Sequence, residues 1–253
     1  MLKKNFTVIR SLCLLALALV FLAACGGTGP DLSYPAEADH LLIEADTAGG
    51  FVPRAYAENH IPAFRLYGDG RVIWTDREGP RMNVWQGHVS PEKIQDLLAW
   101  MADEGYFRME EFYTVENPPT DLPTQCVRVY LADETKSVCE YFDGAPEAFD
   151  RIYDLLHSGA GATDVAAYEP QIGWAIAEPM TWEAGSEGVA WPEVLSPALS
   201  AMTGGAWVDG PTLEFLWRNR LEQGPLMVFE ELGERYEVIL QIPGLMPRAP
   251  SPP

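Results

Sequence analysis

The sequence predicts an α+β fold, an antiparallel sheet with helices on one face, and three observations predict it. Two stretches of alternating apolar and polar residues each lead into a helix that opens on Pro-Glu, at Pro91-Glu92 and, 55 positions later, at Pro146-Glu147. A third alternating stretch, Leu226–Ile242, ends the ordered chain as a hairpin. The 253 residues are 47% hydrophobic and 21% charged with 4 Cys, enough apolar surface to build a core without a metal or a disulfide framework.

The first round begins at His40–Ala45, a short apolar strand, followed by Gly49-Gly50-Phe51 as a turn in which paired glycines permit positive φ. Phe64, Leu66, Val72 and Trp74 then alternate with Arg65, Tyr67, Arg71 and Ile73 around Gly68-Asp69-Gly70, where Asp-Gly predicts a type I′ hairpin turn. Ser90 caps the first helix, Pro91 fits its first turn, and Ile94, Leu97, Leu98 and Met101 form the buried stripe up to Gly105. The second round repeats this grammar. Val127, Val129 and Leu131 alternate with Cys126, Arg128 and Tyr130; a turn at Ala132–Thr135 leads to Ser137–Phe142. A helix with Phe149, Ile152, Tyr153 and Leu156 then runs to Gly159. Residues 40–158 therefore read as two β-β-α units.

A Gly/Ala-rich break at Ser158–Thr163 precedes a C-terminal α+β extension or small domain, 168–242. Ile172, Trp174 and Ile176 alternate as a strand. Trp191–Met202 is weakly helical and interrupted by Pro197. Thr212–Leu221 is a helix with Leu213, Leu216, Trp217 and Leu221 available for packing, and the final hairpin turns at Gly233-Glu234. The Pro-rich end, 243–253, reads as a loose tail.

The N-terminus gives an address. Lys3, Lys4 and Arg10 precede the apolar run Leu12–Ala24, an export signal too short to span a bilayer comfortably. Leu22-Ala23-Ala24-Cys25-Gly26 resembles the lipobox of bacterial lipoproteins. That resemblance implies removal of residues 1–24, acylation of Cys25 with palmitate-type chains, and anchoring on the extracytoplasmic face of the cell membrane or outer membrane. Residues 25–39, rich in Gly, Pro and small polar side chains, then read as a flexible tether.

The order of strand, GGF (Gly49–Phe51), YGDGRV hairpin (Tyr67–Val72), helix SPEKIQDLLAWMADEGYF (Ser90–Phe107), TDLP loop (Thr120–Pro123), hairpin and helix is similar to an uncharacterised domain of bacterial lipoproteins. More distantly it resembles the emfourin family of small inhibitors of thermolysin-like metallopeptidases. The resemblance implies a protein partner in the envelope, a peptidase in the emfourin case. Gly49, Gly50, Phe51, Thr120, Asp121 and Pro123 are the candidate contacts, because glycines let backbone approach a cleft and a Pro-rich loop loses little entropy on docking.

Composition and motifs exclude several classes. A net charge of −20 repels nucleic acid and anionic lipid surfaces. His40, His60, His88 and His157 lack metal-site spacing, and no nucleophile elbow, P-loop or dinucleotide motif occurs, so neither metal nor cofactor is expected and the chain does not read as an enzyme. The adjacent pairs Glu110-Glu111, Asp133-Glu134 and Glu230-Glu231 do not converge if extended, because neighbours on a strand face opposite ways. An active site invisible as a motif stays open, and a deep pocket lined by two convergent carboxylates, or by a carboxylate and a histidine, would be its signature. A carbohydrate surface built on Trp85, Trp182, Trp191 and Trp207 is a further alternative.

Cys126 and Cys139 are the two thiols left after processing at Cys25. A hairpin register in which paired residue numbers sum to 265 sets them opposite each other within bridging range, whereas a sum of 267 leaves them diagonal at about 7–8 Å. Export favours the bridge; two reduced, buried thiols are the alternative.

Overall fold

The computed structural model describes residues 30–78, 81–180 and 188–252. Leu32–Pro253 fold as one unit. Its first layer is an eight-stranded sheet made from β1 (Leu41–Ala48), β2 (Phe64–Tyr67), β3 (Arg71–Glu78), β4 (Arg81–His88), β5 (Phe112–Thr114), β6 (Thr124–Tyr130), β7 (Thr135–Tyr141) and β8 (Thr163–Ala167). The order is β5-β7-β6-β1-β2-β3-β4-β8. All neighbours are antiparallel except the edge pair β5/β7. β1 lies between the two rounds of the chain, pairing β2 on one side and β6 on the other.

The helices that close the two rounds lie on one face, as an α+β arrangement of this kind requires. In α2 (Pro91–Asp103) the Ser90 side chain accepts a hydrogen bond from the Lys93 amide, Pro91 occupies the first turn, and Ile94, Leu97, Leu98 and Met101 are buried. Gly105, at φ 88°, ends that run. Phe149, Ile152, Tyr153 and Leu156 are the buried stripe of α3 (Glu147–His157). The two stripes share one core with Leu66, Val72, Trp74, Val127, Val129 and Val138 from the sheet. Each such side chain contributes roughly 1.5–3 kcal/mol on burial.

The opposite face of the sheet is also covered. Tyr67, Ile73, Met82 and Val84 share a second core with Ala175 and Ala177 of β9 (Gly173–Pro179) and Leu213, Leu216 and Trp217 of α4 (Gly210–Gln223). Met227 and Phe229 of β12 (Met227–Glu231) and Val238 and Leu240 of β13 (Glu234–Gln241) complete it. With β10 (Val189–Ala190) and β11 (Ala206–Val208) these strands form a mixed five-stranded sheet, β10-β12-β13-β9-β11. The described residues of 168–242 thus share a core with the eight-stranded sheet, and β8, which follows the Gly/Ala break, joins that sheet at β4.

Several local expectations need correction. The sequence assigned β4 to no element, so the first round has four strands, β1 to β4, before its long helix. The Gly68-Asp69-Gly70 turn is not type I′: Gly70 alone has positive φ (89°), the Gly70 amide donates to Tyr67 O, and the Asp69 carboxylate accepts from the Arg71 amide. The final turn centres on Leu232-Gly233 (φ 53° and 84°), because the ladder pairs Glu231 with Glu234. Of Trp191–Met202 only Leu199–Met202 is helical, as a 3₁₀ turn.

Both chain ends fold further than composition suggested. Leu32 and Tyr34 pack on the helix-side core, Ser33 O accepts from the Ala132 amide, and Gly68 leaves room for Pro35 O where any side chain would collide. The flexible tether expected over 25–39 therefore does not extend to 32–39. At the other end Leu245 and Met246 are buried, and Gly244 O accepts from Tyr67 Oη and Arg65 Nη1. The tail expected over 243–253 is accordingly held over its first residues. No helix among the described residues is long and apolar enough to cross a membrane.

Candidate functional site

β1 ends in a run whose side chains and backbone build one side of an open cavity of about 440 Å³. Two consecutive glycines, Gly49 (φ 92°) and Gly50 (φ 77°), turn the chain out of β1 into a conformation that side chains disfavour. The turn carries the chain against the TDLP loop: the Phe51 amide donates to Asp121 O at 3.4 Å, and a Cβ on Gly50 would lie 2.9 Å from that oxygen. The fold therefore brings Gly49, Gly50 and Phe51 beside Thr120, Asp121 and Pro123, although about 70 residues separate them in the chain.

Phe51 is 90% exposed, Val52 44% and Tyr56, on the short helix α1 (Arg54–Glu58), 41%. These three side chains form an apolar rim next to the cavity, whose wall includes Gly49, Val52, Tyr56, Asp121 and Pro123. Three solvent-facing apolar side chains within six residues are unusual for a surface that contacts only water.

Inside the wall, Asp46 and His60 are paired. Asp46 is buried because its position on β1 faces the second layer, and His60 Nε2 lies 2.6 Å from its Oδ1. Thr47, pointing the other way, hydrogen-bonds Tyr153 Oη at 2.9 Å, and burial raises the pKa of that phenol. His157 lines the cavity one helical turn after Tyr153 and stacks on it. A carboxylate and a histidine thus meet in a cavity, one of the two constellations set out above for an unmarked active site, although this cavity is open and not deep. No serine, threonine or cysteine among the described residues hydrogen-bonds to His60, so the pair has an orienting carboxylate without a nucleophile beyond it.

Arg220 supplies part of the wall, and the buried Asn59 holds it from behind. β12 pairs with β13 only as far as Val238, and Asn59 satisfies the strand edge beyond it: its amide donates to Val238 O and Pro225 O, and its Oδ1 accepts from the Leu240 amide at 2.7 Å. The Asn59 carbonyl in turn accepts from Arg220 Nε (2.9 Å) and Nη2 (2.7 Å). Arg220 is 2% exposed, and its Nη1 has no hydrogen-bond partner. Burial and the nearby Arg77 guanidinium lower its pKa to about 10.

Sequence reasoning reached the two loops and missed Asp46, His60 and Arg220. A signal for Arg220 existed: the spacing Leu213, Leu216, Trp217, Arg220 puts it on the buried stripe of α4. None existed for the Asp46–His60 pair, which the Gly49-Gly50 turn and α1 bring together.

The remaining candidates lie elsewhere. Cys126 and Cys139 are directly opposite on β6 and β7, in a ladder whose paired numbers sum to 265, and are joined in a disulfide with Cα atoms 4.1 Å apart. The Cys139 amide donates outward to Glu111 O, so the two form a non-hydrogen-bonded pair, the closer of the two ladder spacings. Cys25 and Trp182 lie outside the described residues. Trp191 is buried against Phe215 and Phe229, Trp85 stands in β4 with its Nε1 donating to Asp76, and Trp207 packs edge-on against Trp174 on β9. These three do not make the exposed tryptophan surface expected. His40 and His88 make hydrogen bonds to backbone carbonyls, and no cluster of metal-ligating side chains occurs among the described residues.

Residues 61–159 match a family model described as a domain of unknown function, DUF6438. The chain therefore carries an uncharacterised domain. The match begins one residue after His60 and ends at Gly159. It holds the TDLP loop, Arg77, Tyr153 and His157, whereas the GGF turn, Asp46, His60 and Arg220 fall outside it. A comparison with curated proteins finds no match.

Proposed function

We propose that the chain is an extracytoplasmic binding module, lipid-anchored at Cys25, whose recognition face is the rim of Phe51, Val52 and Tyr56 over the cavity, and whose partner is a protein of the cell envelope. The observation that carries this reading is the apposition of the GGF turn and the TDLP loop with Phe51 left almost wholly in solvent. Phe51 stands with Val52 and Tyr56 and not singly, and interface hot spots are large aromatic side chains of this kind. The peptidase-inhibitor form of the reading rests on the emfourin resemblance of the same two loops.

The test is capture from solubilised membranes with the wild-type protein and with Phe51→Ala, which removes nothing from either core. A partner held by the wild type and lost by the variant is expected; a partner held equally by both would sink the assignment of this face. A panel of secreted thermolysin-like peptidases, uninhibited at micromolar protein, would remove the inhibitor form alone. Mass spectrometry of the mature N-terminus should show acylated Cys25, and an unmodified soluble product would remove the anchor.

The Asp46–His60 pair favours a second reading, a hydrolase in which His60 activates water. It expects turnover of chromogenic ester, amide or phosphoester substrates that His60→Gln abolishes and Phe51→Ala does not. Absence of turnover on all three leaves the binding reading.

A further inference from the structure

We infer that the cavity receives a carboxylate carried by an apolar peptide segment, seated between Arg77 and Arg220 with its apolar part on Phe51 and Val52. The inference rests on the binding reading and supplies the chemistry of the partner. A guanidinium that is almost fully buried requires its donors to be satisfied and its charge balanced. Arg220 meets neither requirement within the chain: two of its nitrogens share one carbonyl, Nη1 is left over, and it forms no ion pair among the described residues. The charged group that acts on it is another cation, Arg77, which is exposed on the same wall and also lacks an ion pair there. Burial and that repulsion both lower the Arg220 pKa, the opposite of what a built-in counter-ion would do.

An anion entering this wall neutralises two like charges, and a small movement of the Arg220 side chain, whose Nη1 is itself sealed from solvent, brings the spare donor onto it. The other walls decide which anion. Asp46 and Asp121 also line the cavity, and their charge opposes a phosphate dianion more strongly than a carboxylate. Ile61, Ala63 and Met82 make part of the lining apolar, Val52 continues it at the exposed edge, and Phe51 is the residue next to Val52 in the chain. The matching ligand is a single carboxylate beside an apolar group, as at a peptide C-terminus or an acidic side chain within an apolar segment.

The probes are N-acetyl-phenylalanine, its uncharged amide, and inorganic phosphate, each titrated calorimetrically into the whole protein. The acid should bind at least about tenfold more tightly than the amide, because a charge-assisted pair distinguishes them. Arg77→Gln should reduce that preference by about threefold without loss of fold, since the side chain is exposed. Arg220→Gln should abolish it; should that variant fail to fold, the amide control and Arg77→Gln still decide. Equal binding of acid and amide, phosphate binding tighter than the acid, or no binding of any probe each overturns the inference. None of these outcomes touches Phe51-dependent partner capture, so this inference and the binding reading fail separately.

Discussion

Replacing Gly50 by alanine tests the apposition of loops on which the site depends, and Gly49 provides an internal control. Both glycines have positive φ, 77° and 92°, so alanine at either costs about 1–2 kcal/mol for the left-handed backbone alone. They differ in surroundings. A Cβ on Gly49 meets nothing within 4 Å, whereas one on Gly50 lies 2.9 Å from Asp121 O and 3.2 Å from the Leu122 carbonyl carbon. Backbone must move to admit it, which adds about 1–3 kcal/mol of overpacking strain and removes the Phe51–Asp121 hydrogen bond. Gly50→Ala should therefore be about 2 kcal/mol less stable than Gly49→Ala, a further loss of about 4–8 °C in Tm for a unit of this size. Urea unfolding followed by tryptophan fluorescence, with Tm as a second readout, measures the difference. Variants that agree within about 0.5 kcal/mol would refute the packing of the GGF turn on the TDLP loop.

Three further outcomes follow from the same coordinates. Glu44 is buried between Arg65 (2.5 Å) and Arg128 (2.8 Å), so Glu44→Gln should cost about 3–5 kcal/mol, whereas Glu104→Gln at the more exposed pair with Arg151 should cost under about 1; equal costs in urea unfolding would contradict the burial argument. Thiol titration of the unfolded, unreduced protein should find no thiol at Cys126 or Cys139, and reduction should lower stability by about 2–3 kcal/mol; two free thiols would refute the bridge. Burial raises the Tyr106 phenol above its ordinary range while its hydroxyl donates to Val127 O and Lys136 O. The unfolded chain therefore ionises first, and stability present below about pH 10 should be lost as pH rises beyond it. Tyr106→Phe should flatten that alkaline decline, and an unchanged slope would count against it. Arg220, with its pKa lowered to about 10, acts with the opposite sign and offsets part of the decline.

The helices were the most legible part of this fold, because α2 and α3 combine a Pro-Glu start, a four-residue buried stripe and a glycine stop, signals that agree with one another. β4 was illegible for a physical reason. It is covered on both faces, with Met82 and Val84 toward the second layer and Trp85 toward the helices, so its apolar residues do not mark one side as a half-buried strand's would. Composition misled at both ends: Gly and Pro counts concealed Leu32, Tyr34, Leu245 and Met246, and two or four apolar side chains are enough to fix a segment that a window average calls loose. At the site, the glycine pair was visible because its conformational requirement is local. The Asp46–His60 and Asn59–Arg220 contacts were not, because burial of Asp46 and the unfinished edge of β13 create the need for a partner only after the layers have packed.

The boundaries of the family match bear on what any relative can teach about this cavity. Residues 61–159 include β2 to β4, α2, β5 to β7 and α3, yet in the sheet β2 and β6 are not neighbours; β1 stands between them. β1 also carries Glu44, which is opposite Arg65 on one side and Arg128 on the other, so the strand closes the sheet electrostatically as well as by its ladders. The matched stretch alone would leave two open strand edges, and the buried Arg65 and half-buried Arg128 without their carboxylate. The cavity divides in the same way: Asp46, Gly49 and His60 precede the match, Arg220 and Pro225 follow it, and the match supplies the wall between. The spare Arg220 donor exists only because the C-terminal layer is present. A ligand found for another protein matching over the same stretch bears on the helices and the TDLP loop of this chain only as something to test. If it sits in a cavity, transfer requires that protein to supply its own counterparts of Asp46, His60 and Arg220 from outside the matched region.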